Sequence, residues 1–328
     1  MRVFVSTVPF AEENRLPREI LRENGLEVDV NPFGKKITSA QLAEIIGNYD
    51  YLIAGTENIS AEVLTRASNL RLISRVGIGL DGVDLVTARD MGIDVSYTPE
   101  APAPAVAELT IGLMLSLLRK THLASQQIKS GNWQRYFGRR IPEVTIGVIG
   151  VGRIGGRVLR RLSSFGTPTI LVNDLSPDAK VAPELKLEWV EKDEIYSRAD
   201  VITLHVPLTD RTHHMITARE LALMKKDAIL LNTARGGLID EVDLVSALKA
   251  GALDGVALDV FENEPYEGPL TEFERCILTA HMGSMSKDCR AAMEITAARH
   301  VIQHLQGKPL DFPVPDYEYE LKSRTYNG

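Results

Sequence analysis

The stretch VTIGVIGVGRIGGRVL, residues 144–159, decides how this chain folds. Its first six residues form a short, β-rich apolar run. Gly150, Gly152 and Gly155 follow with GxGxxG spacing, and Ile154, Val158, Leu162 and Phe165 then fall on one face of a helix that Gly166 ends. The next apolar run, Thr169–Asn173, stops at Asp174, 19 residues after Gly155. Strand, glycine turn, helix, strand and carboxylate together make a dinucleotide-binding unit. The first glycine forms the tight turn, the second lets a pyrophosphate approach the backbone, and the third lets helix and strand pack closely. The helix start offers free N–H groups and a positive dipole end to the phosphates. Asp174 can accept hydrogen bonds from ribose hydroxyls and would repel a 2′-phosphate, so NAD is expected over NADP.

Working outward, short apolar runs alternate with helical patterns almost throughout. Strands are expected at Arg2–Ser6, Leu26–Val30, Tyr51–Ala54, Leu70–Val76 and Ile93–Ser96, with helices near Glu12–Asn24, Ser39–Gly47, Ser60–Ala67 and Asp81–Met91. Three prolines in Thr98–Pro104 form a stiff connector. One long helix is expected from about Ala103 to Lys129. Further strands are expected at Thr145–Ile149, Thr169–Asn173, Val201–Leu204, Ala228–Asn232, Gly255–Ala257 and Cys276–Leu278, and a last helix at Lys287–Gln306. The tail DYEYELKSRTYNG is polar and its role is not readable. Alternation at this spacing implies βαβ units around parallel sheets, an α/β fold.

GxGxxG recurs at Gly77, Gly79 and Gly82, but this copy has a short helix and no carboxylate at the end of the following strand. Its backbone N–H groups could cup a small anion, and Arg75 beside it would add a guanidinium fork. A plain turn with a surface arginine is the competing reading.

The 328 residues suggest two domains. A net charge of −7, with no basic run, argues against a nucleic-acid partner. Two cysteines, Cys276 and Cys289, suit a reducing compartment better than a disulfide framework. The longest apolar run noticed, Leu109–Leu118, is too short to span a bilayer, and the N-terminus lacks an apolar signal core. A cytoplasmic protein without membrane partners is the expectation.

Of the seven histidines, His300 and His304 have metal-ligand spacing but no evident third ligand, so solvated helix positions and no metal are expected. His213 and His214 fall in a polar loop. His205 ends a strand where a cofactor would lie, which suits a structural or cofactor-shell role. His281 follows another strand, Arg235 lies just past a third, and carboxylates at Asp259, Glu262 and Glu264 lie past a fourth. In a parallel sheet such strand ends line the ligand crevice. Arginine there can bind a carboxylate and polarise a carbonyl, histidine can exchange a proton, and a carboxylate can orient the histidine.

GVIGVGRIGGRVL, HVPLTDRTHHMI, LLNTARGGLIDEVDLVSALKAGALDGVALDVFENEP and TAHMGS, in that order, resemble the D-2-hydroxyacid dehydrogenase family, in its D-3-phosphoglycerate dehydrogenase-like form. RVGIGLDGVDL and VAELT add to the likeness. The resemblance implies a Rossmann NAD-binding domain at 100–287, carrying a dimerisation helix and inserted into a flavodoxin-like substrate domain made of 1–99 and 288–328. It implies Arg235, Glu264 and His281 as the catalytic trio. Gly150, Gly152, Arg153, Ile154, Gly155, Asp174, His205, Pro207, Thr212, Thr233, Asp259 and Gly283 would line the NAD site, with Asp259 at the nicotinamide carboxamide. Val76 and Gly77 would donate backbone N–H groups to the substrate carboxylate. Arg75 beside them suggests a second anion on the substrate, as in 3-phosphoglycerate or a malate-like dicarboxylate. Pro102–Ala105 and Ala280 depart from the family pattern. Two other readings remain open: an NAD-regulated corepressor-like module, and a sibling dehydrogenase acting on phosphite.

Overall fold

The structure is a computed structural model that describes residues 1–177 and 181–323. The chain divides into two compact units: one of Met1–Pro102 together with the segment from Ser284 onward, the other of Ala103–Gly283. Each is built on a parallel sheet.

In the first unit, β1 (Arg2–Val5), β2 (Glu27–Val30), β3 (Tyr51–Ala54), β4 (Leu72–Arg75) and β5 (Asp94–Ser96) lie in the order β2-β1-β3-β4-β5, every pair parallel. This is the flavodoxin-like order. β3 and β4 are buried at every position, as strands covered on both faces are; β3 (YLIA) reads as an unbroken apolar run, while β4 (LISR) also buries Ser74 and Arg75. Phe4, Leu42, Leu52, Leu64, Ile73 and Leu85 form the centre of the core. The helix Lys287–Leu305 joins this unit, where Ser74 Oγ donates to the Ala297 carbonyl at 3.1 Å. His300 lies on its inner side with no exposed surface, and His304 pairs with Asp94 at 3.3 Å. The expectation that both are solvated was therefore wrong: His300 continues the buried stripe of Cys289, Met293 and Ala297 at helical spacing, and His304, one turn on, is partly covered. The chain then runs beside β5, with Val314 N donating to the Val95 carbonyl at 3.0 Å, and a helix forms at Asp316–Ser323. Arg89 holds that helix, 2.8 Å from Asp316 Oδ1 and 3.4 Å from the Tyr319 ring centroid. Nothing in so polar a segment signals this docking in advance.

In the second unit, β6 (Thr145–Ile149), β7 (Thr169–Asn173), β8 (Leu187–Trp189), β9 (Val201–Leu204), β10 (Ile229–Asn232), β11 (Gly255–Leu258) and β12 (Cys276–Leu278) run parallel in the order β12-β11-β10-β9-β6-β7-β8. This is the Rossmann order with one strand added at the far edge. Three-residue β8 went unseen in the sequence because LEW mixes charge with apolar bulk on a partly exposed edge.

The single helix expected over 103–129 is two, Pro102–Arg119 and Thr121–Lys129, parted by Lys120 in left-handed conformation (φ 52°). The break has a local cause. Arg139 N donates to the Leu118 carbonyl at 3.0 Å, and a Cβ at Gly138 would fall 2.5 Å from that oxygen. The returning chain thus seals the end of the first helix, while Lys120 Nζ reaches Asp254 at 2.8 Å. The helix Pro102–Arg119 has the length and mean hydropathy (1.2) of a membrane span, more than the ten-residue run noticed in the sequence. It is nonetheless a core helix: Ala107, Ile111, Met114, Leu117 and Leu118 are buried against β6, β7 and β10 side chains.

Candidate active site

The glycine turn after β6 is shaped as its spacing implies. Gly150 has φ 92°, and a Cβ there would fall 2.6 Å from the His205 carbonyl carbon. A Cβ at Gly155 would fall 2.0 Å from the Gly150 oxygen, so only glycine lets the helix Arg153–Leu162 start this close to the strand. Around Gly152 the space is open, and no side chain caps the helix. Among the described residues the first-turn N–H groups of Ile154 and Gly155 make no backbone hydrogen bond, at the end of the helix that favours an anion. Asp174, just past β7, bends back so that Oδ2 accepts from Val151 N at 2.6 Å. This carboxylate therefore sits on the glycine turn itself.

The neighbouring residues shape the site's walls. His205 Nε2 lies 3.0 Å from Thr203 Oγ1, and burial pushes its pKa down to about 3, so the ring is neutral. Thr212 Oγ1 donates to the Pro207 carbonyl at 2.7 Å and closes that loop. Thr233, 5% exposed, meets Thr110 Oγ1 at 2.8 Å. Asp259 is 1% exposed; Oδ1 accepts from Thr279 Oγ1 at 2.6 Å and Met282 N at 2.9 Å, and Oδ2 from Gly283 N at 2.8 Å. In this structure it braces the turn that carries His281.

Three successive strand ends bring the chemistry together. Past β10, Asn232 Nδ2 donates to the Arg235 carbonyl at 2.7 Å and fixes the backbone from which the half-buried guanidinium extends. A Cβ at Gly236 would lie 1.9 Å from the Phe261 carbonyl carbon, so the loops past β10 and β11 abut. Past β12, His281 adopts φ 49°, and its Nδ1 lies 2.8 Å from Glu264 Oε2 and 3.1 Å from Oε1. Of the carboxylates at 259, 262 and 264, Glu264 is the one that meets this histidine. Imidazole and carboxylate side chains remain 33% and 23% exposed, within reach of a ligand. Among the described residues no cluster of His, Cys, Asp and Glu is arranged to hold a metal ion.

In the first unit, the turn after β4 corrects two expectations. Val76 N donates to the Ala54 carbonyl and Gly77 N to Thr98 Oγ1, both at 2.7 Å, so neither N–H is available to a substrate carboxylate. The N–H groups of Ile78 and Gly79 make no hydrogen bond among the described residues. Sequence spacing could not separate the two pairs, because the difference lies in which distant acceptors the fold supplies. Arg75 is 4% exposed, and Nε and Nη2 donate to the Gly79 carbonyl at 3.2 and 2.9 Å. A surface fork waiting for a second anion is not what the structure shows; the guanidinium braces the turn.

Two parallel sheets, one of them bearing an NAD-type glycine turn after β6 and a histidine–carboxylate pair past β11 and β12, place the chain in the class of nucleotide-dependent dehydrogenases. The comparisons narrow this. A sequence profile described as D-isomer specific 2-hydroxyacid dehydrogenase, NAD binding domain, matches residues 111–283. A D-3-phosphoglycerate dehydrogenase of Methanocaldococcus jannaschii is 40% identical over 296 residues, 88% of this chain but 55% of that protein. A glyoxylate reductase of Thermofilum pendens is 40% identical over 262 residues, 77% of either chain. The structure of an Aquifex aeolicus D-lactate dehydrogenase complexed with NAD and lactic acid has a TM-score of 0.83 at 26% identity, covering 94% of this chain and 96% of that one. The chain belongs to the D-isomer specific 2-hydroxyacid dehydrogenase family, whose members are NAD-dependent oxidoreductases acting on a CH–OH group.

Proposed function

We propose that the protein interconverts a D-2-hydroxy acid and its 2-oxo acid. The observation that carries this reading is the His281–Glu264 contact at 2.8 Å, at a strand end neighbouring that of Arg235. NAD, when bound along Gly150–Gly155 with its ribose at Asp174, supplies the hydride acceptor at C2. Arg235 pairs with the substrate carboxylate and polarises the C2 oxygen. The neutral His281 accepts the hydroxyl proton at Nε2, and in the reverse direction the imidazolium returns it to the alkoxide. Glu264 holds Nδ1–H, fixing the tautomer and stabilising the positive ring. The open space at Gly152 and the uncapped helix fit the pyrophosphate, and the Asp174 carboxylate disfavours the 2′-phosphate of NADP. The Ile78 and Gly79 N–H groups offer a separate carboxylate cradle in the first unit.

Because Arg75 braces its own turn, the case for a second anion on the substrate no longer rests on it. Glyoxylate and hydroxypyruvate, in the names of two relatives, therefore join 3-phosphoglycerate and malate-like acids as candidates. The test is a panel of D- and L-2-hydroxy acids and 2-oxo acids, with NAD(H), NADP(H) and phosphite as arms. Turnover of D-acids with NAD is expected; no NADH change with any acid, or turnover of phosphite alone, refutes the reading. A corepressor-like role would show instead as NADH-dependent assembly without turnover. We also infer a homodimer formed through segment 121–140, where Ile128, Trp133 and Phe137 are 52%, 86% and 101% exposed. A monomer by sedimentation would refute that.

A further inference from the structure

Glu264 works only if its loop holds the carboxylate against His281, and two groups outside the trio grip that loop. Glu262 N donates to Glu241 Oε1 at 2.8 Å. On its other side, Glu262 Oε1 lies 2.7 Å from His214 Nε2, whose Nδ1 is 3.5 Å from Asp240 Oδ2. Both grips start from firm ground. Asp240 caps the helix Glu241–Lys249, accepting from Val242 N and Asp243 N at 3.0 Å each, so the backbone of Glu241 is fixed. His214 N donates to the Gly237 carbonyl at 2.7 Å, and its ring stacks on His213 with centroids 3.9 Å apart. Burial, helped by the charges of Glu262, Asp240 and Glu264, pushes the Glu241 pKa up.

We propose that Glu241 is a positioning residue, acting with His214 through Glu262 to set Glu264 against His281. The proposal rests on the dehydrogenase reading above. Its leverage is geometric: Glu262 is two residues from Glu264, and a misplacement of ~1 Å in a catalytic group costs on the order of 100-fold in rate.

The experiment compares Glu241→Ala, Glu241→Gln and His214→Ala in the full chain, with NAD and the D-acid that the wild type oxidises. Glu241→Ala is expected to lower kcat about tenfold or more while leaving KM for NAD within about twofold. Glu241→Gln, whose amide oxygen still accepts from Glu262 N, should keep most of the rate. Equal loss in both, or no loss in Glu241→Ala, overturns the proposal. A merely destabilised variant is told apart in the Glu264→Gln background, where Glu241→Ala should cost nothing further; the same factor lost again refutes action through Glu264. The downfield Nδ1–H proton resonance of His281 reads the contact without turnover. It should vanish in Glu241→Ala and persist in Glu241→Gln. A wild type inactive on every acid but showing this pattern refutes the dehydrogenase reading and keeps the clamp; an unchanged resonance in Glu241→Ala refutes the clamp.

Discussion

Replacing Glu264 by glutamine is the sharpest perturbation of the site, because it removes one charge and almost no volume. His281 Nδ1 and Glu264 Oε2 are 2.8 Å apart. Two unit charges at ~4 Å interact by about 4 kcal/mol at an effective dielectric of ~20. With the side chains 33% and 23% exposed, solvent screening reduces this to roughly 2 kcal/mol. The carboxylate stabilises the positive charge that the ring carries during proton transfer, so its loss removes about that much stabilisation from the reacting state. At ~1.4 kcal/mol per decade this is about 30-fold. Reduction of the 2-oxo acid, which consumes the imidazolium, should fall about 30-fold near neutral pH. The assay is steady-state NADH absorbance in the reduction direction, with NADH affinity measured by fluorescence. Affinity should stay unchanged. A Glu264→Gln variant that reduces the 2-oxo acid at the wild-type rate would refute the reasoning.

Other perturbations follow from named distances. Gly155→Ala puts a methyl 2.0 Å from the Gly150 oxygen; it should abolish NAD binding by calorimetry and cost more than ~2 kcal/mol in urea unfolding. Asp174→Ala removes the carboxylate proposed to meet the ribose and should narrow the preference for NAD over NADP by at least about tenfold in kcat/KM; an unchanged ratio would refute that assignment. His300 is buried with its pKa pushed down by burial from 6.5 to about 4. The unfolded chain therefore takes up that proton first. Stability is fully present above pH ~6.5 and is lost as pH falls toward ~4, by about 3 kcal/mol from this residue. His300→Leu should flatten that limb in urea titrations at several pH values, and an unaltered slope would show that the imidazole is not the cause.

Much of this protein was legible one-dimensionally. A buried parallel strand must be apolar at consecutive positions, a dinucleotide turn must carry glycine where a Cβ would collide, and both leave marks at fixed spacing. Hence eleven of the twelve strands among the described residues, and the tight glycine turn after β6, could be read directly. Arg235, Glu264 and His281 were visible as strand-end residues, but the choice of Glu264 over its neighbours came from resemblance; spacing alone left it open. What the tertiary structure decided is partnership. Val76 and Gly77 N–H groups are occupied because Ala54 and Thr98, far along the chain, happen to face them, whereas the Ile78 and Gly79 N–H groups make no hydrogen bond among the described residues. Arg75 is a brace because the Gly79 carbonyl folds back onto it, and His300 is a core residue because its helix lies against β4. Hydrogen-bond commitment and burial depend on groups distant in sequence, so no local pattern can encode them. The chain's order writes the type of chemistry, and only the fold determines which groups are left free to perform it.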